Sequence, residues 1–189
     1  NKLDTCRTSA NLAWKALNNF GDSAFNEYWE EQKPPPIKCE KNCQCGPEKY
    51  LATFDWDNEK SWDACLQGVT AAYITYAPDL AIPGATDAIQ AFVDLAKRRG
   101  VKRLVLLSGR GEEEAQACER IVQSAGLEWT IVRASWFNQN FSEGAFIDMV
   151  LGGTITLPAG DQVEPFVDVD DIADVAVAAL SEDHHNGEV

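Results

Sequence analysis

From Tyr50 onward the chain repeats one unit: a short run of apolar and β-branched residues, then apolar residues at helical spacing, then a turn often marked by glycine. Few folds accept that order. A strand whose helix returns the chain to start another strand in the same direction builds a parallel sheet with helices packed on it. The pattern predicts strands over 51–54, 69–75, 101–107 and 129–132. Between and after them it predicts a helix opened by Asn58 or Ser61 and closed by Gly68, then helices over 86–99, 112–124 and 168–180. The run from Val101 to Leu107 is the strongest strand and is expected at the centre of the sheet. Gly100 is expected in the left-handed position that ends the helix before it. The fold class is α/β, a partial parallel sheet of about four strands flanked by helices.

Residues 1–49 have a different character. They hold seven of the sixteen Lys and Arg residues and seven of the thirty Asp and Glu residues, so the whole net charge of -14 lies in residues 50–189. Ser9 can cap a helix through Leu12, Ala13, Ala16, Leu17 and Phe20, and Asp22 or Ser23 a second one carrying Phe25, Tyr28 and Trp29. Pro34, Pro35 and Pro36 then stop any helix and favour an extended linker. Four of the six cysteines, Cys6, Cys39, Cys43 and Cys45, fall in this segment. Their spacing suits neither a zinc knuckle nor a disulfide framework well, and no metal site is assigned. Residues 1–49 are expected to form a short helical, cysteine-bearing segment before the α/β domain.

Charge and composition also exclude function classes. A net charge of -14 repels phosphate backbones and anionic lipid, which disfavours nucleic acid and membrane surfaces as partners. Lys102 and Arg103 are accordingly expected to be the solvent-facing start of the central strand rather than a nucleic-acid patch. No run approaches the roughly 20 apolar residues of a membrane span. Cys65 and Cys118 sit among apolar or helix-forming neighbours and read as reduced, unreactive structural thiols. A cytoplasmic protein with a small-molecule partner is the expectation.

Six stretches from Phe54 onward carry a family resemblance: Phe54-Asp55-Trp56; Ala72-Tyr73-Ile74-Thr75; Gly100-Val101-Lys102-Arg103-Leu104-Val105-Leu106-Leu107-Ser108; Gly126-Leu127-Glu128-Trp129-Thr130-Ile131-Val132-Arg133; Trp136-Phe137-Asn138-Gln139-Asn140-Phe141; and Phe166-Val167-Asp168-Val169-Asp170-Asp171-Ile172-Ala173. In this order they resemble the NmrA-like branch of atypical short-chain dehydrogenases, azoreductase-like and ergot-alkaloid-reductase-like members included. The resemblance implies a Rossmann-type domain that binds NADP or NAD and reduces a small organic substrate. It also implies roles. Asp55 and Trp56 would lie beside the adenine, Asp55 as an acceptor and Trp56 in the pocket wall, while Thr75, Tyr76 and Ala77 would pass close to the riboses. Ser108 would be the catalytic serine that hydrogen-bonds the substrate carbonyl, and Ser135, Trp136, Phe137 and Asn140 would line the nicotinamide side. All follow strands, and in an open parallel sheet ligands bind outside the carboxyl ends of strands. Bland readings stand beside these: Ser108 before Gly109 also suits a turn or a helix cap, and the aromatics also suit core packing.

Two departures bear on activity. The Tyr-x-x-x-Lys pair of ordinary short-chain dehydrogenases has no counterpart over 112–124, where Glu112, Glu113, Glu114 and Glu119 stand, so a general acid must come from elsewhere or be absent. A non-enzymatic NAD(P)-sensing regulator is therefore the competing class, and an incomplete, inactive fragment a third. The second departure is upstream, where residues 1–49 contain no Gly-x-x-Gly-x-x-Gly turn to hold a pyrophosphate. The domain is thus expected to be incomplete at its start, and at its end, where the family continues past Glu188 and Val189. Each charge-assisted bond from such a turn contributes roughly 1.5 to 3 kcal/mol. Losing two or three weakens binding by about 3 kcal/mol or more, over a hundredfold in dissociation constant. Calorimetric titration of this chain with NADPH is expected to give a dissociation constant in the high micromolar to millimolar range, tightened when a strand-glycine turn-helix unit precedes Tyr50. A low micromolar value for the chain alone would contradict the expectation.

Overall fold

The computed structural model describes residues 54–144, 146–157, 160–161 and 163–189. The helices, proline linker and cysteine cluster expected before Tyr50, and residues 51–53 of the first expected strand, lie outside the described residues. Phe54 itself is in no strand.

Three parallel strands form the main sheet in the order β1 (Ala71–Ile74), β2 (Arg103–Gly109) and β3 (Glu128–Ala134). The register pairs Ala71 with Arg103 and Arg103 with Glu128, so the three strands start level. Helix α2 (Ala85–Arg99) connects β1 to β2, and α3 (Glu113–Gln123) connects β2 to β3. A single 3-10 turn, Glu59–Ser61, runs into one turn of helix, α1 (Trp62–Cys65), and Gly68 at φ +72 follows it. After β3 come β4 (Trp136–Phe137), α4 (Gln139–Ser142), α5 (Ile147–Leu151), β5 (Phe166–Val167) and α6 (Val169–Ser181). β4 and β5 pair in parallel as a separate two-stranded sheet, Trp136 opposite Phe166. Along the free edge of β3, the Gly187 amide donates to the Trp129 carbonyl and the Ile131 amide to the Glu188 carbonyl.

The helices form where their apolar residues recur on one face and where something ends them. In α2, Ile89, Phe92, Val93 and Ala96 are buried at helical spacing, and Lys97, Arg98 and Arg99 complement the dipole of the last turn. Gly100, at φ +83, lets the Val101 amide reach the Ala96 carbonyl and its own amide the Lys97 carbonyl, the paired closure that a left-handed residue makes possible. At the start of α6, the Asp168 carboxylate accepts from the Asp170 amide at 2.9 Å; Asp168 is a cap rather than the first helical residue.

Strand side chains alternate between faces, and β2 shows what this does. Leu104 and Leu106 pack with Ile74, Ile131 and the buried faces of α2 and α3, together with Trp62 and Leu66. Val105 and Leu107 turn the other way, to Val132, Ala134, Ile172 and Ala179, where α6 lies. Each fully buried Leu or Ile contributes roughly 2 kcal/mol of transfer free energy, so alternate residues of one strand fasten a helical layer to each face.

Arg103 shares the parity of Val105 and therefore points to the α6 side. The expectation that Lys102 and Arg103 both face solvent holds only for Lys102, which is exposed. The Arg103 guanidinium donates to the carbonyls of Ala179, Leu180 and Glu182 at 3.4, 3.3 and 2.9 Å and pairs with Glu128 and Asp183 at 2.8 and 2.9 Å. It thereby satisfies the carbonyls left open at the end of α6, and its side chain is only 12% exposed. Among the described residues, no helix is long and apolar enough to cross a membrane. Cys118 is a free thiol, fully buried, and burial, with the charge of Glu119 beside it, pushes it up to about 11.

Candidate functional site

The strands that start level end beside a cleft of about 410 Å³, within the usual range of small-molecule sites. Thr75 and Tyr76 follow β1, Ser108 and Gly109 close β2 with Arg110 and Glu112 after them, and Ser135, Trp136 and Phe137 follow β3. Seven of the residues expected in the site therefore face one cavity, Thr75, Tyr76, Ser108, Ser135, Trp136, Phe137 and Asn140, the last of them from α4. Asp55, Trp56 and Ala77 line a neighbouring cavity of about 730 Å³, and Thr75 and Pro78 belong to both.

The wall between the two cavities is held by aromatic packing. Phe54, Trp56, Trp62, Tyr76 and Phe92 meet at ring-centroid distances of 4.8 to 6.0 Å. Trp56 Nε1 donates to the Thr75 carbonyl at 3.0 Å, and Trp62 Nε1 to the Asp55 carbonyl at 2.7 Å. The backbone around Asp55 and after β1 is thus pinned by indole donors. One Asp55 carboxylate oxygen accepts from the Asp57 amide at 2.9 Å, closing a tight turn.

Ser108 is neither a turn nor a cap residue. It lies inside β2, 4% exposed, with the parity of Leu104 and Leu106, which points it at α3. There its hydroxyl donates to Glu119 Oε1 at 2.6 Å. Arg133, directly opposite Ser108 in the β2–β3 register, donates to the same carboxylate through Nε at 3.0 Å and through its terminal nitrogen at 2.5 Å. Burial alone would push the Glu119 carboxyl up. The hydrogen bonds from Arg133 and Ser108, helped by the charges of Arg133 and Arg120, outweigh it and hold the group below its ordinary value. Glu119 stays ionised, and the Ser108 proton is committed to it.

The sequence reading missed several residues. Glu119 sits on the buried stripe of α3 with Ala115, Cys118 and Val122, and a carboxylate on an apolar stripe was the available signal. Arg110, Glu112, Asp79 and Phe146 line the cleft without belonging to any motif. Across its rim, Glu164 accepts from Arg110 at 3.1 Å and from the Ser135 hydroxyl, joining the end of β2 to the segment before β5. Gln139 bonds the Asp168 carboxylate at 2.9 Å and the Val169 amide at 3.2 Å, which ties α4 to the start of α6.

This donor set fits one part of a dinucleotide better than another. Flat aromatic walls and strand-end backbone suit the ring-bearing ends. Among the described residues, a phosphate in this cleft would meet Asp79, Glu112 and one cation, Arg110, which is already paired with Glu164.

Known proteins resemble the chain over the same residues. A family model described as NAD(P)H-binding matches residues 46–183. Agroclavine dehydrogenase of Claviceps fusiformis is 36% identical over 145 residues, covering 68% of this chain and 48% of that one. Prestalk A differentiation protein A of Dictyostelium discoideum is 28% identical over 144 residues, covering 75% and 47%. The chain spans about half the length of these relatives. In fold, it matches the structure of Citrobacter triphenylmethane reductase complexed with NADP(H) with a TM-score of 0.59 at 19% identity, over 71% of this chain and 50% of that one.

The buried carboxylate makes stability depend on pH in a defined direction. Because the folded-state value of Glu119 lies below the ordinary 4.5, its contribution is whole above that pH and is lost as pH falls through the lower folded value. Urea denaturation of wild type and Glu119→Gln is expected to differ by about 2 kcal/mol at neutral pH, the scale of a lost charge-assisted bond. The difference should shrink as pH drops below 4.5. A difference that is constant across that range would contradict the assignment.

Proposed function

The chain belongs to the NAD(P)H-binding family of Rossmann-type proteins, and from that premise we propose that residues 50–189 are the later part of a reductase domain that uses NADPH or NADH to reduce a small organic substrate. One observation carries the reading: the residues that follow three successive parallel strands converge on a single cleft. Asp55, Trp56 and Ala77, with Thr75, serve the adenine-ribose end in this reading, and Tyr76, Ser108, Ser135, Trp136 and Phe137 serve the nicotinamide and substrate end. Trp136 is 41% exposed and stacks on Phe146 at 5.4 Å, which leaves an aromatic face for a flat substrate. The cofactor supplies a hydride when bound. The chain's own contribution is to orient the reacting carbon and exclude water.

Ser108 has a narrower role than donation of its proton. With that proton on Glu119, its oxygen offers lone pairs to the cleft and orients a substrate or cofactor hydroxyl; donation to a carbonyl requires the hydroxyl to turn away from Glu119. The free thiol of Cys118 suits a reducing cytoplasm.

A second reading, an NAD(P)-sensing regulator, is favoured by the absent Tyr-x-x-x-Lys pair in α3 and by similarity to a differentiation protein. Absorbance at the NADPH band, with millimolar NADPH and either isatin or malachite green as acceptor, separates the two. Turnover of one acceptor is expected, with kcat/KM about tenfold lower in Ser108→Ala, the effect of one hydrogen bond of about 1.4 kcal/mol. NADPH binding without turnover of either acceptor would replace the reductase by the regulator, and absence of binding would contradict both.

A further inference from the structure

The segment 112–124 carries no Tyr-x-x-x-Lys pair to deliver a proton as in ordinary short-chain dehydrogenases, yet a carbonyl or imine that accepts a hydride must also accept a proton. Among the described side chains of the cleft, Tyr76, Asp79, Ser108, Glu112 and Ser135 can carry one. The Ser135 hydroxyl gives its proton to Glu164, and the Asp79 carboxylate accepts from the Ala81 amide within its own loop. Ser108 has its proton on Glu119. The Tyr76 phenol is pushed up by burial and by the charges of Asp57 and Cys118, so its proton is held more tightly than usual.

Glu112 stands differently. It is half-buried and lines the cleft together with Ser108, Tyr76, Trp136 and Phe137. Its carboxyl rests against the backbone of Gly109, the last residue of β2. A Cβ at 109 would fall 2.6 Å from Glu112 Cδ and closer still to Oε2, so the carboxyl lies directly on the Gly109 backbone and a larger residue there would displace it. Glu112 is also the residue immediately before α3, where its side chain caps nothing. The helix start therefore gives no structural account of its position.

We propose that Glu112 is a catalytic acid, the residue that protonates the substrate heteroatom as the neighbouring carbon is reduced; this rests on the reductase reading above. The step balances. The substrate carbon gains a hydride from a reduced nicotinamide, which leaves oxidised. The carbonyl or imine π bond breaks, and its electron pair takes the proton of the Glu112 carboxyl. Water at the open mouth of the cleft returns a proton to the carboxylate. The surroundings of Glu112 favour the protonated carboxyl: burial first, then Asp79 from the loop after β1 and Glu114 from α3, all raise it above its ordinary value. Arg110, the cation among the described cleft-lining residues, is turned to Glu164. The substrate class is thereby one that needs a proton with its hydride, a ketone, aldehyde or imine.

Two acceptors test this, because reduction of a triarylmethane cation such as malachite green needs a hydride and no proton, whereas the ketone of isatin needs both. With full-length chain at millimolar NADPH, the ratio of isatin to dye kcat is expected to fall at least about tenfold in Glu112→Gln, the low side of general-acid effects, and to recover partly in Glu112→Asp. Carbon-13 NMR of glutamate-labelled protein, with Glu112 assigned by its loss in Glu112→Gln, is expected to show the carboxyl titrating above 4.5. An unchanged ratio, a carboxyl titrating at or below that value, or a wild type that reduces the dye but not isatin overturns the assignment while leaving the reductase reading standing. A wild type that reduces neither removes both.

Discussion

The alternation of side chains along β2 is the constraint from which the rest of the molecule follows. Leu104, Leu106 and Ser108 turn to one face, Arg103, Val105 and Leu107 to the other, and both faces must be covered because both are apolar over most of their length. Helices α2 and α3 cover the first face and α6 the second. Covering both faces leaves only the two ends of the strands open, and the chain enters its loops there. Residues destined for a ligand have no other place to converge.

The same alternation places the polar residues of β2 at its ends, each with a helix to answer it. At the start, Arg103 bonds the last carbonyls of α6 and two acidic side chains. At the finish, Ser108 meets Glu119 of α3, with Arg133 of β3 closing the group. A buried carboxylate is costly unless paired and hydrogen-bonded. Glu119, its side chain 3% exposed, meets both conditions, while Arg133 at 35% keeps contact with water. This arrangement links α3 to both strands below the cleft floor, fixing the height at which Ser108 presents its oxygen.

Much of this was legible in the sequence, and the exceptions have physical reasons. Helices with a clean apolar stripe and a glycine stop, such as Ala85–Arg99 before Gly100, declare themselves because periodicity and cap are local properties. Strand-end residues were also legible, because a parallel sheet forces ligand contacts to follow strands. Arg103 was misread as solvent-facing because most of its partners lie more than 75 positions away in α6 and the turn after it, and no local pattern records that distance. Glu119 was noticed only as a missing tyrosine or lysine, although its place on an apolar stripe demanded a partner. Glu112 was hidden in a run of three glutamates, whose exposed members outnumber the one the cleft holds. Its distinction comes from lining the cleft with Tyr76, Trp136 and Phe137, a tertiary fact.

Among the described residues, the cleft joins strand-end backbone and aromatic surfaces to a lining in which Asp79 and Glu112 outnumber the single cation Arg110. Aromatic and backbone surfaces are arranged for the ends of a dinucleotide, while the local charge disfavours its middle. The most direct test of this account is where NADPH lands. In nitrogen-15 correlation spectra of the chain titrated with NADPH into the millimolar range, amides of Thr75, Tyr76, Gly109, Ser135 and Phe137 are predicted to shift along one saturating curve, while those of Arg103, Glu128 and Asp183, where the strands begin, stay in place. Shifts confined to the starts of the strands, or no shift at the strand ends up to that concentration, would contradict it.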